Sequence, residues 1–311
     1  MMPENHLLIF GLGYSGKAVR QLACTEGFTV TGTSRSKSIE TIPFEHADAV
    51  LATATHILVT APPGADGDPV LARYRQAIAE APALRWIGYL SSTVVYGNRN
   101  GGWVDEDTPP APGQDRGVRR LVAEDAWQDF ADRKAVVVFR VAGIYGPNRS
   151  AFDDLRAGRA RRVIKPGHKF GRIHRDDLAR AVVQAMTHTS RPGSHIFNLS
   201  DDEPAESASV VTEASRLLGT LPPPATLFDE AWLSMSPMAR SFWSEERQVS
   251  AVKTKKALGL SWLYPTFREG LKAILAAETS SEVCSQIDAG GSNSAPIVRV
   301  NNDRSTGRDR R

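Results

Sequence analysis

Two rhythms of hydrophobic and polar positions alternate along this chain. Leu7 to Phe10 is a short, continuous apolar run of the kind that fills a buried strand. From Tyr14 the spacing becomes helical through Val19, Leu22 and Ala23, closing at Gly27. "FTVTGTSR" then reads as a second strand, so strand, glycine turn, helix and strand make a βαβ unit. The pattern continues with "ETIPF" as a weak strand, "HILVTAPPG" as a strong one, and "DPVLARYRQAIAEA" as a helix with Asp68 at its N-cap and Pro69 at its first position. "RWIGYLSS" is the next strand, "VRRLVAEDAWQDFA" an amphipathic helix and "AVVVFRVAGIYG" a further strand. Strands alternating with helices predict an α/β fold whose sheet is parallel, doubly wound and covered by helices on both faces.

Beyond Pro147 the alternation loosens into a basic stretch, a helix over "DDLARAVVQAM", a short strand "HIFNLS" and a helix near "SASVVTEASRLLG". The Pro-rich "LPPPAT" precedes a segment containing Trp232, Met235, Met238, Trp243 and Trp262, in which lobe core is expected ahead of a pocket lining, and a final helix around "TFREGLKAILAAE". The expected organisation is a dinucleotide-binding domain over 1–147, to which later segments can return strands, and a smaller C-terminal substrate lobe over 148–278. Residues 279–311, rich in Ser, Asn, Gly, Asp and Arg, read as a disordered tail.

A chain of 311 residues with 41% hydrophobic content can bury a substantial core. Its net charge of +3 is too balanced to argue for nucleic acid, which is not expected as a partner. Cys24 and Cys284 stand alone, without zinc-ligand spacing, and the loop around Asp66 and Asp68 lacks the further carboxylates of a calcium site, so no metal is expected. No run approaches the roughly 20 apolar residues of a membrane span, and "HLLIF" is too short and wrongly flanked for a signal peptide. A cytoplasmic location without a membrane partner is the expectation.

Candidate chemistry begins at Gly11-Leu12-Gly13-Tyr14-Ser15-Gly16, a G-x-G-x-x-G run placed between strand and helix. There Gly11 permits a tight turn, Gly13 lets backbone approach a pyrophosphate, and Gly16 allows close packing of helix on strand. The helix N-terminus then offers unpaired N–H groups and a positive dipole end to phosphate. The sheet is therefore of Rossmann type. Gly11, Gly13, Tyr14, Ser15 and Gly16 are expected to hold the cofactor, with Ala61 after the strand "HILVT". The second strand ends in Thr33-Ser34-Arg35-Ser36-Lys37, with no acid to accept from a ribose 2′-hydroxyl. Hydroxyls and the guanidinium of Arg35 suit a 2′-phosphate, so Ser34 and Arg35 favour NADP, with NAD the alternative.

With "LSSTVVYG", "WVDEDTPPAP", "FRVAGIYGP", "RIHRDDLARAV" and "IFNLSDDEP" in this order, the sequence resembles the extended and atypical short-chain dehydrogenase/reductases, the group of the nucleotide-sugar epimerases and dehydratases. The resemblance runs from Leu7 to Ala277. It implies that Ser92 hydrogen-bonds the reacting substrate oxygen, and that a tyrosine and a lysine four residues apart on the next helix should face the cofactor. Their sites fall on Arg116 and Arg120. A guanidinium keeps its proton above pH ~12 and cannot replace a tyrosine in acid–base work. Arg120 could still position the nicotinamide ribose, and the proton would come from another group. Tyr96 and Tyr145 are the candidates, with His174 a further one.

The nine cationic residues from Arg149 to Arg175 fit either an anionic substrate or a solvated face. Asp176 and Asp177 match a landmark that caps the following helix. The implied protein is an NADP-dependent oxidoreductase or epimerase-like enzyme on a small carbonyl or nucleotide-sugar substrate, possible as a homodimer. The competing class is a non-catalytic NADP-binding sensor or scaffold, for which the lost tyrosine and lysine are the clue.

Overall fold

Short apolar runs become strands, and the alternation of side chains across them sends neighbouring residues into two different cores. Seven strands form one parallel sheet: β1 (His6–Phe10), β2 (Thr29–Ser34), β3 (Ile42–Pro43), β4 (His56–Val59), β5 (Trp86–Ser92), β6 (Ala135–Val141) and β7 (Gly193–Leu199). Their order is β7-β6-β5-β4-β1-β2-β3. The computed structural model describes residues 5–35 and 39–290, and Lys37 lies outside them.

Leu7 and Ile9 of β1 face a core built with Val19 and Ala23 of α1 (Tyr14–Thr25) and with Leu178, Val182 and Met186. Leu8 and Phe10 face the opposite core with Val70, Tyr74 and Ile78 of α2 (Pro69–Glu80) and with Ala123 and Trp127 of α3 (Asp115–Gln128). Burial on both faces is why these strands are uninterrupted apolar runs. Asp68 caps α2 as its sequence predicts, accepting from the N–H groups of Val70 and Leu71 at 2.8 and 3.1 Å. Its second oxygen accepts from the Trp127 indole at 3.1 Å, which fastens α2 to α3.

Strand β7 and helix α4 (Arg175–His188) come from beyond residue 147, yet β7 pairs in register with β6 and α4 supplies core to the same face as α1. A second group of elements from beyond residue 147 holds a parallel pair, Arg162–Ile164 with Ala225–Leu227, helix α5 (Ser207–Leu217) and the short helices Phe228–Ser234 and Pro237–Trp243. Val163, Ala231 and Met235 form its core, with Trp232 and Trp243 packed on it. Trp262 belongs instead to the sheet core, and Met238 is exposed.

Asp177 does not cap α4; the imidazole of His174 does, accepting from the Asp176 N–H at 3.2 Å. Asp177 is fully buried, and its two oxygens accept from the backbone N–H groups of Leu263 and Tyr264 at 2.7 and 2.9 Å. It is a latch for the segment that leads to the last helix, α6 (Phe267–Gly290). Packing divides the chain into Met1–Lys272 and Ala273–Arg311, a boundary that falls within α6. Helix α6 runs to Gly290, past Thr279, where the tail was expected to begin. The Thr279 and Ser280 hydroxyls satisfy themselves inside the helix by donating to the carbonyls of Leu275 and Ala276. The remainder of that expected tail lies outside the described residues. Among the described residues no helix is long and apolar enough to cross a membrane, and no His/Cys/Asp/Glu group could hold a metal.

One ion pair lies deep between these layers. Arg140 of β6 donates to Glu124 of α3 at 2.8 Å, with both side chains essentially inaccessible to water. Burial disfavours the Arg140 charge, but Glu124 outweighs it and holds the guanidinium pKa above its usual value. Ser91 of β5 donates to the same carboxylate. Removing one member of such a pair strands the other, at a cost of about 3–5 kcal/mol. Glu124→Leu is therefore expected to lower the free energy of unfolding, measured by urea denaturation, by an amount of that order; a change under about 1 kcal/mol would refute the structural weight given to the pair.

Candidate functional site

The order of the sheet reverses between β1 and β4, and the crevice outside the carboxyl ends of those strands is where open α/β sheets seat ligands. The glycine run stands there. Gly11 turns with φ +99°, and a Cβ on it would lie 2.7 Å from the Thr60 hydroxyl oxygen and 3.3 Å from the Ala61 nitrogen. A Cβ on Gly16 would lie 2.8 Å from the Gly11 carbonyl oxygen. These two glycines let the turn fold against β4 and α1 fold against β1.

Gly13 differs from both. Its φ of −87° suits any residue, and a Cβ there would meet nothing of the protein within 4 Å. Gly13 is also the N-cap of α1, its own N–H donating to the Gly11 carbonyl at 2.8 Å, and no described side chain caps that end, so the first-turn N–H groups of Tyr14 and Ser15 are left for a ligand. Open space beside uncapped N–H groups at a helix N-terminus fits a pyrophosphate. Ala61 lies beside Gly11 at the end of β4, while Ser34 ends β2 with its hydroxyl 2.7 Å from that of Thr41. Arg35 follows, exposed and without a hydrogen-bond or ion-pair partner among the described residues. Tyr14 does not line the crevice with its hydroxyl, which donates to the Pro147 carbonyl at 3.0 Å; its ring lies beneath the guanidinium groups of Arg149 and Arg175.

At the carboxyl ends of β5 and β6 a cavity of about 460 Å³ opens, lined by Ser92, Arg116, Arg120, Gly143, Phe242 and Arg247 among others. The Ser92 oxygen accepts from the Val94 N–H at 3.3 Å, which leaves its own proton free to be donated. Arg116 and Arg120, one turn apart on α3, both face this cavity with Ser92. The structure thus brings the serine and the two arginines together. Arg120 is partly committed, donating from one nitrogen to the Leu90 carbonyl at 2.7 Å and the Tyr89 hydroxyl at 3.3 Å. Arg149, Lys169 and Arg172 also reach the wall, so six cations face one carboxylate, Glu245.

The two tyrosines proposed as proton sources are not brought to Ser92, and this corrects the expectation. Tyr96 is wholly buried, donating to the Asn198 side chain at 2.8 Å beneath the Arg140 guanidinium; burial raises its pKa. The cause is local. Ser92 starts a 3-10 turn over Thr93–Tyr96 that rotates the ring inward. Tyr145 turns toward Thr266, whose carbonyl it meets at 3.4 Å, and burial likewise raises its pKa. The His174 ring stands edge-on to Tyr145, and burial lowers its pKa to about 4, so it is neutral near pH 7, with Nε2 buried and unpartnered.

Sequence reasoning missed three groups. Phe242 lies 4.2 Å from the Arg116 guanidinium, across its ring face. Arg247 donates to Glu245 at 2.9 Å on the cavity wall. Asp201, after β7, is 2% exposed with neither oxygen hydrogen-bonded in the structure. Burial raises its pKa to about 8, against the opposing pull of Arg172. The first two meet across long stretches of sequence, and the third sits in "SDDEP", where an acid reads as a surface turn.

Cradle, crevice and serine-bearing strand end together define an α/β protein of Rossmann-type fold. The chain belongs to the family of a functionally unknown conserved protein from Silicibacter pomeroyi, with which it shares 39% identity over 88% of this chain and 99% of that one, at a TM-score of 0.81. The fold is also that of human epimerase family protein SDR39U1, solved with NADPH (20% identity, 86% and 98% coverage, TM-score 0.73). It is shared as well by a UDP-N-acetylglucosamine 4-epimerase from Bacillus cereus (16% identity, 88% and 99% coverage, TM-score 0.68). No protein-family model and no curated protein matches the chain.

Asp201 gives this region a pH signature. Its folded pKa of about 8 lies above the ordinary 3.8, so the folded state holds a proton that the unfolded state has lost. That contribution to stability is complete below pH ~3.8 and is lost as pH rises toward 8. Asp201→Asn mimics the protonated acid. Its stability relative to the parent chain should climb between pH 4 and 8 and then level off, measured by urea unfolding across that range; a pH-independent difference would show that Asp201 is ionised when folded.

Proposed function

We propose that this chain is an NADP-dependent oxidoreductase acting on a small carbonyl substrate in the cavity beside Ser92. The observation that carries the reading is Gly13: a glycine that neither backbone conformation nor packing requires, at an uncapped helix N-terminus in the crevice of the sheet. Gly11, Gly13, Ser15 and Gly16 would hold the pyrophosphate, Ser34 and Arg35 the 2′-phosphate, and Ala61 the neighbouring wall. That the human relative in fold is solved with NADPH supports the cofactor assignment. The nicotinamide, when bound, supplies or accepts a hydride.

The chain's own residues would orient and polarise. The Ser92 hydroxyl donates to the reacting oxygen, and the guanidinium groups of Arg116 and Arg120 favour negative charge as it develops there. Neither arginine delivers a proton, so protonation comes from water entering the open cavity. A nucleotide-sugar epimerase is the variant of this reading suggested by the Bacillus cereus fold relative. A non-catalytic NADP sensor is the second reading. It is favoured by the inward turn of Tyr96 and Tyr145, which leaves no tyrosine on the Ser92 cavity.

Fluorescence titration with NADPH and NADH tests the cradle directly. Gly13→Val is expected to keep the parent's denaturation midpoint while weakening NADPH binding tenfold or more, and Arg35→Ala to erode the preference for NADPH over NADH. Unchanged NADPH affinity in Gly13→Val would sink the reading. A panel of carbonyl compounds followed by loss of NADPH absorbance then separates enzyme from sensor, Ser92→Ala cutting turnover at least tenfold in the first case. Tight binding with no turnover across the panel would select the sensor.

A further inference from the structure

The strangest charge in the cavity is Arg116. It is half-buried, and no hydrogen-bond or ion-pair partner reaches it among the described residues; its Nε is buried and unpaired. What it does have is a ring: Phe242 lies 4.2 Å from its guanidinium and fixes the plane of the fork. Its neighbours make its charge harder to keep. Burial holds its pKa below the usual arginine value and Arg120 pulls the same way, with only Glu245 opposing. Glu245 is already engaged, accepting from Arg247 at 2.9 Å, and Arg247 in turn feels the positive charge of Arg116. Three guanidinium groups thus share one carboxylate that hydrogen-bonds the third. Crowded like charges without partners are unfavourable in the empty protein and become favourable once an anion sits among them.

A guanidinium presents five donors in a rigid plane that matches a carboxylate or phosphate edge, and Arg116 has all five uncommitted. Arg120 stands one helical turn away, held by one nitrogen to the end of β5, which leaves the rest of its fork for a ligand. Ser92 lines the same cavity. We propose that Arg116 and Arg120 form an oxyanion subsite beside Ser92, which grips a carboxylate or phosphate carried next to the reacting carbonyl of the substrate. The inference rests on the reading of this cavity as the substrate site and narrows it. The substrate is a small anionic carbonyl compound rather than a neutral one, and its charge sits at the reacting end. Arginine at these two positions then has a purpose that the tyrosine and lysine of related enzymes could not serve.

Calorimetric titration of the NADPH-saturated full-length chain with oxalate and with inorganic phosphate, at low ionic strength, tests this. Saturable binding of at least one anion is expected, with the tighter of the two telling carboxylate from phosphate. It should weaken at least tenfold in Arg116→Gln and in Arg120→Gln, and recover only in part in Arg116→Lys, which restores charge without the fork. Arg159→Gln, outside the cavity, should leave it unchanged. Equal affinity in Arg116→Gln, or no saturable binding of either anion, would overturn the proposal. Should Arg120→Gln unfold through loss of its anchor on Leu90, Arg116→Gln decides, because Arg116 has no hydrogen bond to lose. If the parent chain does not bind NADPH, the cofactor reading fails by itself; comparing the unloaded chain with Arg116→Gln still decides the subsite.

Discussion

The buried pair of Glu124 and Arg140 is the constraint on which the cavity depends. Glu124 lies on the same face of α3 as Arg120 and Arg116, one and two turns further on, so anchoring the carboxylate on β6 sets the height of both arginines above the strand ends. The same carboxylate takes the Ser91 hydroxyl, which fixes the residue next to Ser92. The same guanidinium covers the Tyr96 ring, and Tyr96 reaches Asn198 on β7, whose side-chain amide donates to the Ser250 carbonyl at 3.0 Å. One polar chain thus crosses beneath the cavity from α3 through β5 and β6 to β7. Hydrogen bonds that span four elements rigidify their surroundings, although Arg140 Nη1 stays buried without a partner among the described residues. Positions above it inherit that rigidity.

Charge is distributed with a similar economy. The chain as a whole is nearly balanced at +3, yet the cavity wall gathers six cations and one acid. Overall charge therefore says little about the ligand, while local charge says a good deal. Where the protein needs a guanidinium only for structure, as at Arg140, it supplies a buried carboxylate at 2.8 Å. Arg116 receives a ring instead, which orients the fork without neutralising it. The contrast between these two arginines separates charge used for folding from charge held for a ligand.

Much of this was legible in the sequence. The alternating elements, the cap at Asp68 and the three glycines depend on local rules of periodicity and backbone conformation, and local rules can be read from neighbours along the chain. Ser92, Arg116 and Arg120 could be placed through the spacing of family motifs. The direction of a ring could not. Tyr96 belongs to a motif that puts it four residues after Ser92, but a single 3-10 turn carries it into the core, and nothing in "SSTVVYG" states which way that turn faces. The partnership of Arg116 with Phe242 and the burial of Asp201 are products of tertiary packing. The return of β7 to the sheet was allowed for by the strand read at "HIFNLS", although which strand it would pair with was not read.

Asp177 has a consequence of a different kind. It holds the segment before α6 through two backbone N–H groups, those of Leu263 and Tyr264, and not through their side chains. An attachment made to the main chain is indifferent to spelling. For this fastening alone, positions 263 and 264 need only keep an amide hydrogen, proline being shut out, while the aspartate itself has no freedom to change. Over generations the fastening would persist while the fastened segment became unrecognisable, so its homologues would be aligned more securely by the position of one buried acid than by the residues that acid holds.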